Sequence, residues 1–303
     1  MNKNELTAMI AEILSQMGGQ EPTVKASPYK AAVPEPQKPD CGYSDGDFVP
    51  DVTKLDLRQL YLTENAADPE KFKKMKLKTP ARLGCGKAGP RYKTLTSLRF
   101  RADHAAAQDA VFSEVDTEFA KENDLLPVKT RCDSKDEYLT RPDLGRCFDE
   151  HNAKAIQGVI DTPPTVQLVV GDGLSSAAIT ANAMDCLQAI RDGLKLRGID
   201  TGKAIFVKYC RVGAGDAIGD LTGCQLVCML VGERPGLVTD KSMSAYITYK
   251  PHTGVSESSR TVVSNIHSQG TPAVEAGAHV AELIDKILKK KVSGVGLHLE
   301  ETR

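Results

Sequence analysis

The sequence predicts an α/β protein: a Rossmann-like, largely parallel sheet flanked by helices, with a mainly helical N-terminal region and a tethered N-terminal helix. Two observations carry this. Beyond residue 160, the apolar runs VQLVV (166–170), AIFVKY (204–209) and QLVCMLV (225–231) alternate with segments of helical composition. Strands that are apolar on both faces and separated by helices belong to a buried parallel sheet. Residues 20–54 are dense in proline and lack any sustained hydrophobic period, the mark of an extended linker. The expected organisation is therefore 1–19, amphipathic helix; 20–54, flexible linker; 55–160, helical region; and 161–303, Rossmann-like domain.

Taken in order, Leu6, Met9, Ile10, Ile13, Leu14 and Met17 fall on one helical face, with Asn4 as N-cap and Gly18 as the C′ residue. So short a helix needs a partner for its apolar face. Two readings stand: a docking tag on a tether, or a helix packed on its own globular body. In the helical region the best segment is Thr94 to Phe112, and a second helix follows Pro142 through Leu144, Phe148 and Ala155. The run 166–170 enters the turn Gly171-Asp172-Gly173 and then a helix from about Ser175 to Leu196. A short crossover links the second and third strands, and AYITY (245–249) is a further strand. Thr271 as N-cap and Pro272 at the first helical position open the last helix, which ends on Lys289, Lys290 and Lys291.

Composition removes several classes of function. Lys plus Arg is 39 and Asp plus Glu is 40, for a net charge of −1. A general attraction to nucleic acid or to anionic membrane is not expected. No run approaches the roughly 18 to 20 apolar residues of a membrane span. The first residues carry Glu5 and Glu12 and lack a small-residue cleavage site, so a secretory signal is not expected either. The eight cysteines, Cys41, Cys85, Cys132, Cys147, Cys186, Cys210, Cys224 and Cys228, are widely spaced and read as reduced thiols. No second Cys or His pair accompanies Cys224 and Cys228 at zinc spacing, and no metal site is expected.

Gly84, Gly86 and Gly89 match G-x-G-x-x-G, but Pro80 precedes and Pro90 follows where the dinucleotide fingerprint needs a strand and a helix. NAD binding there is discounted. Arg82, Lys87, Arg91 and Lys93 leave two readings for the segment: a basic contact loop, or a solvated loop with turn glycines. The α/β domain is more informative. Ligands of open parallel sheets sit outside the C-terminal strand ends. Three such ends, at residues 171–176, 209–212 and 232–236, should converge. Pro235-Gly236 suggests a type II turn holding Glu233 and Arg234; the alternative for those two is a local ion pair. No nucleophile–base motif is present. His267 is the histidine nearest the expected site, with a structural hydrogen-bonding role the simpler reading. Asp103-His104 reads as surface or packing. On residues alone, the chain is a ligand-binding α/β domain without a visible active site of its own.

Five stretches in order add a resemblance: Gly86-Lys-Ala-Gly-Pro-Arg91 with LRFRADHA, Tyr138-Leu-Thr-Arg-Pro-Asp143, Asp172-Gly-Leu-Ser175 with Ala178-Ile-Thr180, Leu230-Val-Gly-Glu-Arg-Pro-Gly-Leu237, and Arg260-Thr-Val-Val-Ser-Asn-Ile-His267. Over about residues 75 to 295 the chain resembles the small subunit of ethanolamine ammonia-lyase, the adenosylcobalamin-dependent lyase that converts ethanolamine to acetaldehyde and ammonia (EC 4.3.1.7). The resemblance implies a large subunit with a (β/α)8 barrel that houses the radical chemistry, and six copies of each subunit. It implies that this chain forms half of the cobalamin cradle and contributes no catalytic residue. Family corrinoid contacts carry over to Val212, Glu233 and Val262; some members have Cys at the last position, so contact there does not depend on side-chain chemistry. The dimethylbenzimidazole of the cofactor is expected to remain on cobalt, since D-x-H-x-x-G is missing. The N-terminal helix is then an encapsulation signal that docks on a shell or cargo partner of a bacterial microcompartment in the cytoplasm. Two other classes compete: a nucleotide-dependent oxidoreductase, which requires NAD binding, and a non-catalytic scaffold, which predicts no effect of Glu233→Ala on any activity.

Overall fold

The structure is a computed structural model that describes residues 51–116 and 118–297. The expected helix at 5–17 and most of the expected linker lie outside the described residues.

The described chain is mixed α/β, with a mainly parallel six-stranded sheet in the order β3-β5-β4-β6-β7-β8. These strands are β3 (Leu126–Lys129), β4 (Val166–Asp172), β5 (Ile205–Lys208), β6 (Leu226–Gly232), β7 (Met243–Tyr249) and β8 (Arg260–Ile266). β3, β5, β4 and β6 run parallel, β7 returns antiparallel to β6, and β8 pairs antiparallel with β7. The three expected strands are β4, β5 and β6, and every residue of β4 and β6 is buried, as apolar runs without alternation demand.

The region before residue 160 is mainly helical. It carries α1 (Pro69–Lys76), α2 (Thr94–Phe112), α3 (Phe119–Glu122), α4 (Lys135–Thr140) and α5 (Glu150–Gln157). α2 has the bounds read from its composition. The helix expected after Pro142 is split: a 3-10 turn at Leu144–Arg146, then α5, capped by Asp149, whose side chain accepts from the Asn152 amide at 2.8 Å. The glycine segment forms a hairpin, β1 (Lys87–Ala88) with β2 (Arg91–Tyr92), and Gly84, Gly86 and Gly89 all have positive φ. The same region supplies β3, which the sequence reading does not anticipate. Pro127 gives LPVK the look of a loop; proline is tolerated there because β3 is the sheet's outer strand.

Helices cover both faces of the sheet. α6 (Ser176–Leu196) and α8 (Ala273–Lys290) lie together on one side, over Leu168, Val170, Cys228 and Leu230. Small residues set their separation: a Cβ on Gly193 would stand 2.6 Å from Ala281 Cβ, and one on Gly277 2.6 Å from Ala189 Cβ. On the opposite side α5 and α7 (Ala214–Thr222) pack over Val169, Ile205, Val207, Val227 and Met229. α7 fills the expected short crossover; its glycines and aspartates disguise it, and Gly219 lies where a Cβ would meet Pro251 Cγ at 2.6 Å.

α8 begins one residue later than expected. Pro272 is its N-cap and no side chain caps it. Thr271 is held instead in a bridge to Ile266, its N–H donating to the Asn265 carbonyl at 2.9 Å. That pairing ties Thr271 to the end of β8 rather than to the helix.

Candidate functional site

The C-terminal ends of β4, β5 and β6 lie side by side because those strands are neighbours. The Cys210 amide donates to the Asp172 carbonyl at 2.8 Å, and the Leu174 amide to the Gly232 carbonyl at 3.3 Å. Gly173 lets the loops close: a Cβ there would meet Val231 Cγ1 at 2.8 Å and the Gly232 carbonyl oxygen at 3.1 Å. The expected convergence is therefore present. A small cavity of about 90 Å³ opens at this junction, lined by Tyr138, Arg211, Val212, Glu233 and Tyr246 among others.

Tyr246 ties the expected site residues together. Its phenol donates to Glu233 Oε1 at 2.6 Å. Burial, with the Glu233 carboxylate beside it, pushes the phenol pKa up. Among the described residues this is the only hydrogen bond made to the Glu233 carboxylate. Tyr246 stands opposite Val262 in the β7–β8 ladder, and Val262 is 45% exposed. So Val212 and Glu233 line one cavity, and Val262 is the cross-strand neighbour of the tyrosine between them.

The 233–242 loop is held differently from the sequence expectation. Gly236 does not have positive φ, so Pro235-Gly236 is not the central pair of a type II turn. The loop is closed by the Gly236 amide on the Thr239 carbonyl (3.1 Å) and the Glu233 amide on the Ser242 carbonyl (2.9 Å). Asn182 Nδ2 donates to the Lys241 carbonyl at 2.9 Å, Ser175 Oγ to the Asp240 carbonyl at 2.5 Å, and Arg82 Nη2 to the Leu237 carbonyl. No Glu233–Arg234 ion pair forms among the described residues; Glu233 takes the tyrosine instead.

Two polar networks brace this corner. Arg260 is bidentate on Asp216, both contacts 2.8 Å, with side chains 3% and 9% exposed, and its Nε donates to Glu257 Oε2 at 2.7 Å. This joins the start of β8 to α7. Under the strand ends, Asp172 accepts from Ser176 Oγ at 2.6 Å and from the Val115 amide at 3.1 Å, and Lys135 Nζ donates to the Gly173 carbonyl at 3.0 Å. Burial pushes the Asp172 carboxyl up and the Lys135 ammonium down. Tyr138 donates to the Cys210 carbonyl at 3.1 Å, while the Arg211 guanidinium lies 4.2 Å from the Tyr138 ring centre and donates from Nη2 to the Tyr138 carbonyl at 2.7 Å. Apart from Arg211 Nε, which has no hydrogen-bond partner among the described residues, these charged groups are spent on backbone groups, on the Ser176 hydroxyl and on one another, so they fix the shape of the loops. The open part of the corner offers an acceptor at Glu233 and apolar surface at Val212 and Val262.

Sequence reasoning does not single out Tyr246, Arg260 or Arg211 for this corner. Ser244, Tyr246 and Thr248 alternate along β7 and would have pointed to one face, had the antiparallel pairing been known. His267 sits in the turn before α8, its Nδ1 accepting from the Gln269 amide at 3.3 Å. Asp103 bridges Arg82 (2.7 Å) and Arg99 (3.0 Å), a packing role, and His104 is exposed. All seven cysteines of the described residues are free thiols. Among those residues no group of three or more His, Cys, Asp or Glu could hold a metal ion, and no helix is long and apolar enough to cross a membrane.

Comparison with known proteins agrees with the five motifs. The family profile described as "Ethanolamine ammonia-lyase light chain (EutC)" matches residues 69–298. The ethanolamine ammonia-lyase small subunit of Clostridium perfringens is 55% identical over 297 residues, covering 98% of this chain and 100% of that protein. The corresponding small subunits of Clostridioides difficile and Listeria monocytogenes are each 54% identical, again over 98% of this chain and 100% of theirs. The chain belongs to the ethanolamine ammonia-lyase small-subunit family.

Proposed function

We propose that this chain is the non-autonomous small subunit of an adenosylcobalamin-dependent ethanolamine ammonia-lyase, and that it holds the corrinoid against the large catalytic subunit. The observation that carries the reading is the meeting of Val212, Glu233 and Val262 around Tyr246. Cobalamin is broad and mostly apolar on its faces, with carboxamide arms at its rim. The corner suits such a ligand: Val262 presents open apolar surface, and the Glu233 carboxylate, with one donor from the protein, has capacity to accept from an amide N–H. Backbone groups at Val212 and Val262 are suited to pair other amides.

Adenosylcobalamin, when bound, supplies the radical chemistry that converts ethanolamine to acetaldehyde and ammonia. The residues of this chain bind, orient and exclude water. Tyr246 aims the Glu233 carboxylate, the Arg260–Asp216 pair holds β8 and therefore Val262 at its height, and Tyr138 with Arg211 fixes the loop that carries Val212.

The Rossmann-like reading of the sheet is supported by the successive β4–α6–β5–α7–β6 crossovers between parallel strands. Residues 161–303 are the corrinoid-contacting part in this reading, with 55–160 as its helical companion. Residues 1–19 act as the encapsulation helix and 20–54 as its tether, which places the six-plus-six complex in a bacterial microcompartment.

The test is co-expression with a large subunit, followed by a visible spectrum of the purified complex and an ammonia-release assay with ethanolamine. The small subunit alone should turn over nothing, and the complex with adenosylcobalamin should be active. Glu233→Ala should weaken corrinoid binding by about 1 to 3 kcal/mol through loss of an acceptor that the bound corrinoid would cover. Corrinoid affinity untouched by changes at Val212, Glu233 and Val262 would overturn the reading. Deleting residues 1–19 should release the complex from the compartment; unchanged packaging would reject the encapsulation role.

A further inference from the structure

Beside the Tyr246 corner lies a second, larger cavity of about 330 Å³, and of the three expected contacts Glu233 alone lines it. It sits at an irregularity of the sheet. Met243 pairs with Ile266 and Ala245 with Val263, so two residues of β8, Ser264 and Asn265, stand against the single residue Ser244 of β7. Asn265 takes the left-handed conformation, φ 59°, that lets the extra residue bulge outward. The bulge spreads the two strands, and Ser244, Ser264 and Asn265 line the space it opens.

Ser244 is the telling group. The residue is fully buried, at 0% exposure, and its hydroxyl has no hydrogen-bond partner among the described residues. A buried hydroxyl left unpaired costs free energy and gives the folded chain nothing in return, since alanine would fill the position without that cost. Ser242 and Thr239 add further hydroxyl-bearing residues to the lining, and Leu237 and Val238 of the loop add apolar wall. A ligand group suited to this lining is uncharged and both donates and accepts. Glu233 and Arg234 both line the cavity, so its charges do not by themselves call for an ion, and a primary carboxamide offers its N–H to Glu233 and its carbonyl to a hydroxyl.

We propose that this cavity is a subsite for one carboxamide arm of the corrinoid, with Ser244 Oγ donating to the amide oxygen and Glu233 accepting from the amide nitrogen. The inference rests on the corrinoid reading above and extends it to residues outside the expected contacts. It explains why an orphan hydroxyl and a bulge occur together beside Glu233.

The experiment uses the complete complex with its large subunit and measures binding of cobalamin and of the cobalamin monocarboxylates, in each of which one amide arm is hydrolysed. One monocarboxylate should bind the unaltered complex at least about tenfold more weakly than cobalamin, as expected when a buried amide becomes a charge facing Glu233. Ser244→Ala should weaken cobalamin about fivefold or more, the loss of one hydrogen bond, and should leave that monocarboxylate's already weak binding unchanged. In the full-length chain without corrinoid, Ser244→Ala should keep or raise the unfolding midpoint, because it removes an unpaired group. Cobalamin affinity unchanged by Ser244→Ala but weakened by Glu233→Ala would overturn the subsite while sparing the corrinoid reading. If neither substitution changes any corrinoid affinity, the subsite falls, and the corrinoid reading falls with it once Val212 and Val262 changes prove equally silent. A lowered midpoint of the corrinoid-free chain would show a structural partner for the hydroxyl and would also overturn the subsite.

Discussion

The Tyr246 phenol donates to the Glu233 carboxylate over 2.6 Å, joining the reversed strand β7 to the loop that leaves β6. Because the bond crosses between two elements, it sets the direction of a carboxylate that the loop alone would leave to rotate. Tyr246→Phe keeps the ring and its packing and removes only this donor. Corrinoid affinity should fall by about tenfold to a hundredfold, the range for one hydrogen bond to a charged group, with the unfolding midpoint little changed. Spectral titration of the complex measures it; an unaltered affinity would show that Glu233 does not depend on Tyr246.

Val262 is 45% exposed on the strand beside Tyr246. Val262→Asp puts a charge on that surface without burying it in the free chain. Stability of the chain should change by less than about 0.5 kcal/mol, as for an exposed position. Corrinoid binding in the complex, where the same position would be covered, should weaken at least about tenfold. Equal binding by the two proteins would place the ligand elsewhere.

Arg260 and Asp216 form a bidentate pair with side chains 3% and 9% exposed. Asp216→Ala leaves the guanidinium buried, with Glu257 the remaining charged partner at 73% exposure. Removing one member of a buried pair costs about 3 to 5 kcal/mol. Denaturant unfolding should show that loss, and Arg260→Leu with Asp216→Leu together should recover part of it, since the double change leaves no unpaired charge.

Gly232 ends β6 against the N-cap of α6. A Cβ there would stand 2.0 Å from the Ser175 carbonyl oxygen and 2.9 Å from its carbonyl carbon, both backbone atoms. Gly232→Ala should therefore force strand and helix apart, with a loss of more than about 3 kcal/mol or failure to accumulate folded protein. Circular dichroism melting of the purified chain checks it. A neutral result would mean that this junction is free to shift.

Glu114 accepts from Tyr209 at 2.6 Å and pairs with Lys208 at 2.7 Å. The Lys208 hydrogen bond, then that of Tyr209, holds its carboxyl below the ordinary value of 4.5. A carboxylate lowered in the folded state stabilises above its unfolded pKa, and that contribution is lost as pH falls through the folded value. Acid unfolding should therefore have a limb below pH 4.5 that flattens in Glu114→Gln. The pair is partly exposed, so the difference should stay under about 1 kcal/mol.

The sheet's centre is legible in the sequence because β4, β5 and β6 are buried on both faces and read as unbroken apolar runs. Their ends are legible because glycines follow where loops must approach one another. β3 is concealed by Pro127, α7 by its glycines, and β8 by a pattern in which Thr261, Val263 and the Ser264-Asn265 pair are not buried. The three expected contacts can be located from family motifs, but Tyr246 and Ser244 cannot. Their place depends on β7 folding back along β6 so that Ser244 stands opposite Val231 and Tyr246 opposite Met229. No local pattern specifies that register, and the second cavity is lined by the two residues of the β8 irregularity.

That extra residue bears also on how the protein keeps company. β8 is the last strand of the sheet, and a straight outer edge is a template on which another copy's strand can form. The kink at Ser264-Asn265 interrupts the row of outward backbone groups and turns the rim away from a flat geometry. A shortened β8, with one of these residues removed, would restore an even rim, and the price would be self-association into aggregates.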